Sequence, residues 1–157
     1  MAEVKIMQAS LKDFRDIQEL CRQLCIKENR EFDVTIDVNF PNKTNGKKYL
    51  LERIRNGCAL IATDNKKIVG YLVGGINETE KYRSISRVGE IENMLVIEGL
   101  RGKGVGSKLI QEFIKWCKTK KARRIRVIAS AGNSETIGFY KKKGFKEYNM
   151  VLECEIS

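Results

Sequence analysis

The sequence predicts a mixed α/β domain in which one mixed sheet carries helices on both faces. Strand-like and helix-like stretches follow one another in the order β-α-α-β-β-β-α-β-α-β. The length of 157 residues suits one domain with a real core. Hydrophobic residues make up 42% and charged residues 32%, with no repeat, low-complexity tract or linker. We therefore expect residues 1–157 to form a single domain.

The first third of the chain predicts one strand and two helices. Residues 4–7 resemble a short strand, and apolar residues then recur at helical spacing over residues 10–25. Residues 28–46 are rich in turn formers and contain the only proline, Pro41, which predicts an irregular connection. Residues 47–54 predict a second, shorter helix.

The rest of the chain predicts five strands and two helices. The first two of these strands are separated by a tight turn, which predicts a hairpin. The following helix has an apolar stripe at helical spacing, and the final segment alternates like a strand that closes the sheet. The predicted elements span residues 58–63, 68–76, 88–97, 104–117, 125–129, 134–143 and 145–156.

Composition limits the chemistry and the partners. There is no histidine, so a general base has to be a carboxylate, lysine, tyrosine, cysteine or backbone group, acting directly or through water. The five cysteines contain no C-x-x-C pair, which argues against a metal site and favours reduced, buried thiols. The net charge of +10 attracts polyanions. No apolar run could span a membrane and no signal-peptide core is visible, so a cytoplasmic location is expected.

The segment Arg101-Gly102-Lys103-Gly104-Val105-Gly106 predicts a pyrophosphate cradle. It joins a strand-like run to a helix-like run that starts at Ser107. Glycine has no Cβ, so a diphosphate can approach the backbone N–H groups closely, and the helix dipole adds positive potential there. Arg101 and Lys103 add fixed charge.

Other phosphate-binding motifs fit this segment less well. Gly99 and Gly104 have P-loop spacing, but Val105 stands where that motif needs lysine. A Rossmann fingerprint needs an acidic residue about 20 positions on. The chain has only Lys and Arg around Ala122, which contradicts NAD and suits a phosphorylated adenosine. A glycine-rich turn without a ligand is a further alternative, although such turns seldom combine three glycines, two cations and a helix start.

Residues 96–106 are similar to motif A of the GCN5-related N-acetyltransferases (GNAT), R/Q-x-x-G-x-G/A, which holds the pyrophosphate of acetyl-CoA. Residues 68–71 resemble the I-V-G-Y strand of that family, and residues 133–145 resemble its N-x-x-A-x-x-x-Y-x-x-x-G-F segment, with Thr136 where alanine is usual. The order of elements is also the family's, so the resemblance covers nearly the whole chain. It implies a single N-acetyltransferase domain without a metal, which moves an acetyl group from acetyl-CoA to a primary amine by direct attack in a ternary complex.

The resemblance also implies which residues hold acetyl-CoA. The loop would bind the pyrophosphate, and the backbone of the strand before it would bind the pantetheine arm and polarise the acetyl carbonyl, as an oxyanion hole does. That strand would splay from the strand over residues 125–129. Asn133 would contact the cofactor or, alternatively, cap the last helix. The cofactor-binding residues so implied are Met94, Leu95, Val96, Arg101, Gly102, Lys103, Gly104, Val105, Gly106, Ser107, Asn133 and Tyr140.

Three residues are candidates for proton transfer. Tyr140 stands where the family has its general acid near the coenzyme sulfur, although an aromatic anchor in the core is the alternative. Glu90 and Glu92 lie two apart on a strand, so we expect them to share a face with each other, Met94 and Val96. Carboxylates so close disfavour each other's ionisation, which would help one act as the base. Exposed acids that pair with lysines are the alternative.

The acetyl acceptor is left open by the sequence. Acidic residues at 28–37 and 78–80 would favour a cationic amine, such as a polyamine, an aminoglycoside-like amine, a lysine side chain or a protein N-terminus. A non-catalytic acyl-CoA-binding sensor and a basic nucleic-acid-binding module are alternative functions. No helix-turn-helix or RNA-binding motif supports the second, so a nucleic-acid partner is not expected. No membrane partner is expected either, and a homodimer is left open.

Overall fold

The computed structural model describes residues 3–157 and has one five-stranded sheet with the strand order β1-β2-β3-β4-β5. Strands β1 to β4 are antiparallel to their neighbours, and β5 runs parallel to β4. The mixed sheet predicted from the sequence is therefore confirmed. The strands span Lys5–Gln8 (β1), Cys58–Asp64 (β2), Lys67–Glu78 (β3), Arg87–Val96 (β4) and Ile125–Val127 (β5), and the helices span Phe14–Glu31 (α1), Thr44–Asn56 (α2), Val105–Thr119 (α3) and Ser134–Lys142 (α4).

The helices cover both faces of the sheet, as predicted. Successive side chains of β2 lie on opposite faces of the sheet. Leu60 and its neighbours two residues away pack with Phe113 of α3, whereas Ile61 packs with α1 and α2 on the other face. This follows from the period of two in a strand, which sends successive side chains to opposite faces. Tyr71 of β3 and Leu50 of α2 lie completely buried in the second core. No helix within residues 3–157 is both long and apolar enough to cross a membrane.

The first helix is longer than the sequence predicted. A short 3₁₀ turn at Leu11–Asp13 precedes α1, which continues to Glu31 rather than ending near residue 25. Residues 27–31 are all polar, so the apolar periodicity stops there, but Lys, Glu and Arg are good helix formers and the backbone continues in the helix. The extra turn and a half is important because it carries two further side chains towards the edge of β4.

The last predicted strand is wrong. Residues 145–156 form no strand, so the element order ends with α4, and β5 ends at Val127 rather than at residue 129. A strand needs a neighbour for its backbone N–H and C=O groups. No backbone–backbone hydrogen bond joins residues 146–157 to the rest of the described chain, and every one of these residues is exposed. The alternating pattern is present in the sequence without a sheet for it to join.

A β-bulge at Glu92 changes which face the end of β4 presents. Val73 of β3 pairs with Asn93, and the next residue, Gly74, pairs with Ile91, so Glu92 has no partner in the register. Because the bulged strand has one extra residue here, the alternation of its side chains between the two faces of the sheet shifts by one residue. The expectation that Glu92 shares a face with Met94 and Val96 is therefore wrong: Glu92 contacts α2, whereas those two side chains pack with the α3 core.

Candidate functional site

Strands β4 and β5 separate from each other and open a cleft. They pair only from Gly89 to Ile91 on β4, and β4 then continues to Val96 with no neighbouring strand on that side among residues 3–157. The N–H and C=O groups on this edge of residues 92–96 are consequently not used within the sheet. The cleft beside them has a volume of about 210 Å³.

The cleft brings together most of the residues that the sequence predicted for cofactor binding. The predicted residues that line it are Met94, Leu95, Val96, Arg101, Gly102, Gly106, Asn133 and Tyr140. It also has lining residues that sequence reasoning did not assign to the cofactor: Leu24, Lys27, Glu28, Leu100, Glu135, Thr136 and Phe139. Lys27 and Glu28 of α1 were missed because the helix was predicted to end before residue 27, and Leu24 was interpreted only as part of the apolar face of that helix. Phe139 was interpreted as core, and it does pack there as well.

The glycine loop has a backbone that only glycine adopts easily. Gly102 and Gly104 have φ values of 73° and 83°, in the left-handed region, and a Cβ at either position would meet no atom within 4 Å. Helix α3 begins at Val105, and its first hydrogen bond runs from the N–H of Lys108 to the carbonyl of Gly104 at 3.1 Å. The three N–H groups before Lys108 therefore have no acceptor in the helix, as in any helix start. The loop offers these donors beside open space.

Two side chains of this loop have structural positions. The guanidinium Nε of Arg101 donates to the backbone carbonyl of Val96 at 2.8 Å, which ties the loop to the end of β4. Val105 is buried in the core, so only its backbone can serve a ligand. Lys103 is exposed. At Gly106 a Cβ would lie 3.1 Å from the ring of Phe139, so glycine permits the close approach of α3 and α4.

Asn133 fulfils the capping alternative and also lines the cleft. Its side-chain oxygen accepts a hydrogen bond from the N–H of Thr136 at 3.1 Å, which caps α4. The residue is only 6% exposed. Its amide nitrogen donates to no acceptor among the described residues, so that group is left for a ligand.

Tyr140 packs as a core aromatic and at the same time reaches the cleft. Its ring makes edge-to-face contacts with Phe139 and Phe145 at centroid distances of 5.3 and 5.2 Å. Burial raises the pKa of the phenol well above its ordinary value, so the group stays protonated. Its hydroxyl makes no hydrogen bond within residues 3–157. The ring is thus fixed while the hydroxyl is uncommitted.

Glu92 is held by two side chains of α2. Arg53 donates to its two oxygens from Nε and one terminal nitrogen, at 2.8 and 2.6 Å, and the hydroxyl of Tyr49 donates at 2.7 Å. The hydrogen bond to Glu92 raises the pKa of Arg53, which is the direction expected for a close ion pair. Asn93 donates to the Tyr49 hydroxyl at 2.9 Å and extends the network. The carboxylate therefore has its acceptor sites engaged by protein donors.

Glu90 is engaged in the same way, but by a different cation. Arg126 of β5 donates to it at 2.8 Å and Asn77 of β3 at 3.1 Å. The hydrogen bond to Glu90 raises the pKa of Arg126. Neither Glu90 nor Glu92 lines the cleft. Both glutamates pair with arginines rather than with the lysines of the alternative interpretation. No sequence signal indicated these arginines, because they lie 36 and 39 residues from their glutamates along the chain.

Glu28 is the half-buried carboxylate that the longer α1 brings over the cleft. The hydroxyl of Ser130 donates to its Oε2 at 3.1 Å, and no cation of the described chain lies within ion-pair distance. Two other acids are paired with cations, Asp37 with Lys43 at 2.5 Å and Glu31 with Arg30 at 2.8 Å. Glu28 therefore gives the cleft a carboxylate without a cationic partner.

Comparisons with known proteins agree with one another. The profile of the acetyltransferase (GNAT) family matches residues 13–145. An uncharacterised N-acetyltransferase of Methanocaldococcus jannaschii is 30% identical over 104 residues, which cover 66% of this chain and 45% of that protein. An N-alpha-acetyltransferase of Sulfurisphaera tokodaii is 27% identical over 96 residues, 58% of each chain. The chain thus spans about half the length of the curated relatives it matches.

Solved structures support the same fold. A mutant of the BH1408 protein from Bacillus halodurans superposes with a TM-score of 0.84 at 19% identity, covering 98% of this chain and 99% of that one. The aminoglycoside N-acetyltransferase AAC(6′)-Iy in complex with CoA has a TM-score of 0.78 at 17% identity, with 99% and 96% of the two chains covered. At such identities the likeness concerns the fold.

Proposed function

Because this chain belongs to the acetyltransferase (GNAT) family, we propose that it is an N-acetyltransferase that moves an acetyl group from acetyl-CoA to a primary amine. The observation that carries the proposal is the cleft between β4 and β5, where an unused strand edge, an open glycine loop and an uncommitted phenol meet. Relatives named as N-acetyltransferases and a structural neighbour with CoA bound support the same reaction.

In this proposal the loop over residues 102–107 binds the pyrophosphate of acetyl-CoA. Its free backbone N–H groups and the start of α3 suit an anion, and the two left-handed glycines allow close approach. Lys103 supplies charge from the exposed side, whereas Arg101 acts through the loop, because its side chain is tied to the carbonyl of Val96. The amide of Asn133 is free to donate to the cofactor.

The open edge of β4 suits the pantetheine arm, which carries two amide groups. The arm can pair with the open-edge backbone groups of the stretch Met94, Leu95 and Val96 as an added strand would, apart from the carbonyl of Val96, which accepts from Arg101. A backbone N–H of this edge directed at the thioester carbonyl would stabilise the negative charge that develops during attack.

The chemistry then requires two proton transfers. The neutral amine attacks the thioester carbon, a C–N bond forms, the C–S bond breaks, and CoA leaves as a thiolate. We assign the proton donor for that thiolate to Tyr140, whose phenol is protonated and has no other partner among the described residues. Solvent then restores the phenol.

For the base, the contacts favour Glu28 over the two glutamates of β4. Glu92 and Glu90 are hydrogen-bonded to arginines, so a proton on either would break a close ion pair. Glu28 lines the cleft and its one hydrogen-bond donor is a neutral hydroxyl. An unpaired carboxylate there also attracts a cationic amine, which keeps polyamines, lysine side chains and protein N-termini as the acceptor classes to test.

The direct test is a panel of polyamines, aminoglycosides, amino acids and short peptides, scored by release of free CoA and by an acetylated product in mass spectrometry. We expect at least one primary amine to be acetylated. Tight acetyl-CoA binding with no release of CoA for any amine would instead support a sensor. Salt-dependent binding to nucleic acid without acetyl-CoA binding would support the nucleic-acid module.

The base is tested by Glu28→Gln with Glu31→Gln as the matched control, one turn further along the same helix and outside the cleft. We expect the first variant to lose most of the turnover, while the second keeps it. Equal activity of the two variants would remove Glu28 from the mechanism.

A further inference from the structure

The turn between α3 and β5 carries a concentration of positive charge that the proposed function does not use. No aspartate or glutamate occurs from residue 113 to residue 134, a stretch with seven lysines and arginines. Five of these cations lie within residues 118–124, here called the basic turn, and all five are exposed: Lys118, Lys120, Lys121, Arg123 and Arg124. None of the five forms an ion pair within residues 3–157. The basic turn is therefore a strongly charged surface without counterions from the described chain.

The basic turn lies at the opposite end of α3 from the glycine loop. Helix α3 has 15 residues, so its two ends are about 22 Å apart. No residue of the basic turn lines the cleft. With a pyrophosphate at the glycine loop, the adenosine beside it stays at that end of α3, so the basic run does not serve the phosphorylated adenosine that it suits by composition. Its charge is available to a different anion.

The backbone of the basic turn is fixed at both ends. At the end of α3 the N–H of Ala122 donates to the carbonyl of Cys117 at 3.1 Å, and Ala122 packs against the α3 core. At the start of β5 the carbonyl of Arg124 accepts from the N–H of Gly89 on β4 at 2.9 Å. The five cations therefore extend into water from a turn that the fold holds in place.

The stability of α3 explains only part of this charge. Cations at the end of a helix interact favourably with its dipole, which accounts for Lys118 and Lys120. Arg123 and Arg124 lie beyond the helix. Lys121 has a φ of 60°, a left-handed conformation that glycine adopts more easily and that glycine commonly supplies after a helix. Helix stability thus leaves three of the five cations unexplained.

The residue types on this surface favour a nucleic acid over a protein or a membrane. Protein interfaces depend on buried aromatic or aliphatic anchors, and peripheral membrane contacts add apolar side chains that insert among the lipids. No large apolar side chain is exposed from residue 113 to residue 127. A phosphate backbone needs only closely spaced cations, because its binding releases counterions. It needs no motif that reads bases, so the lack of such motifs in the sequence does not argue against it.

We propose that the basic turn binds the phosphate backbone of a nucleic acid, independently of base sequence and apart from the acetyl-CoA cleft. Each phosphate contact contributes about −0.7 to the slope of log affinity against log salt for a single strand, and about −0.9 for a duplex. For the five cations we expect a slope of about −3 to −5. The binding does not depend on the proposed acetyl transfer.

The test is fluorescence anisotropy of the full chain with a labelled single-stranded RNA and a labelled duplex DNA, over a range of salt concentrations. One triple variant removes three charges from the basic turn: Lys120→Gln, Lys121→Gly and Arg123→Gln. The matched control removes three exposed lysines near the turn between β2 and β3: Lys5→Gln, Lys66→Gly and Lys67→Gln. Both variants lower the net charge of +10 by three. Each places one glycine at a left-handed residue, because Lys66 has a φ of 67°.

We expect the basic-turn variant to weaken binding at least about tenfold at low salt and to make the slope shallower by about 2 to 3, because three phosphate contacts are lost. The control should bind like the wild type. Both variants should keep the wild-type urea midpoint and acetyl-CoA affinity, since neither touches the core or the cleft. Tighter binding of the RNA or of the DNA would support the proposal and show which of the two is preferred.

Four results would overturn the proposal. The first is a wild type that binds neither oligonucleotide at low salt. The second is an equal loss of affinity in the two variants, which would show an effect of net charge alone. The third is binding to vesicles that contain phosphatidylserine without binding to either oligonucleotide. The fourth is a loss of acetyl-CoA affinity in the basic-turn variant alone, which would assign these cations to the cofactor.

Discussion

The bidentate pair between Arg53 and Glu92 allows a structural role to be separated from a catalytic one. The perturbations are Arg53→Met, Glu92→Gln and the double variant. The two side chains are 24% and 14% exposed and share two short hydrogen bonds, so each loses its main partner when the other is replaced. Removal of one member of a buried ion pair costs about 3–5 kcal/mol, because the remaining charge is left unpaired.

The free-energy cost of removing one partner should lie at the lower end of that range, since both groups retain some contact with water. We expect Arg53→Met to lower the free energy of unfolding by about 3 kcal/mol. For a chain of 157 residues this corresponds to a decrease of about 6–12 °C in Tm. The double variant should lose less than the sum of the single variants, by about 2 kcal/mol, because the second substitution removes the orphaned charge.

The assay is urea unfolding followed by the fluorescence of Trp116, the single tryptophan. Lys115→Met is the control, because it removes an exposed ion pair with Glu112 and should change stability by less than about 0.5 kcal/mol. A loss below about 1 kcal/mol for Arg53→Met, or strict additivity of the two substitutions, would show that the ion pair does not stabilise the fold as described. Unchanged stability of Glu92→Gln together with lost turnover would reinstate Glu92 as the base.

Three further outcomes are expected. Gly104→Ala should weaken acetyl-CoA binding about tenfold or more in calorimetry, because φ is 83° there and a side chain strains that backbone, whereas Gly99→Ala, with open space and no positive φ, should not. Tyr140→Phe should lower turnover with little change in acetyl-CoA affinity, and unchanged turnover would exclude it as the acid. Burial raises the pKa of Cys58 to about 12 and of Cys117 to about 11. The stability they contribute is complete below about pH 9 and is lost as the pH rises towards 11–12, so the alkaline loss in urea midpoint should shrink when both are alanine.

Most of the fold could be predicted from local signals in the sequence. The turn between β2 and β3 and the glycine loop before α3 could be predicted because turn chemistry and periodicity act over a few neighbouring residues. The end of α1 could not, because the last turn has no apolar residue to mark it, although its residues are good helix formers.

Features that depend on pairing between distant segments could not be predicted from the sequence. The bulge at Glu92 exists only in the register between β3 and β4, so counting by twos along β4 wrongly placed Glu92 on the face of Met94 and Val96. The arginines that hold Glu90 and Glu92 come from β5 and α2, and no motif connects them. The final segment has the right pattern for a strand, but a pattern does not supply the neighbouring edge.

The most direct test of the cleft as the acetyl-CoA site is an NMR titration of the backbone amides with acetyl-CoA. We expect the largest shifts on two stretches, residues 94–96 at the open edge of β4 and residues 102–107 at the start of α3, with Gly99 little affected. Saturable binding whose amide shifts avoid both stretches would contradict this expectation.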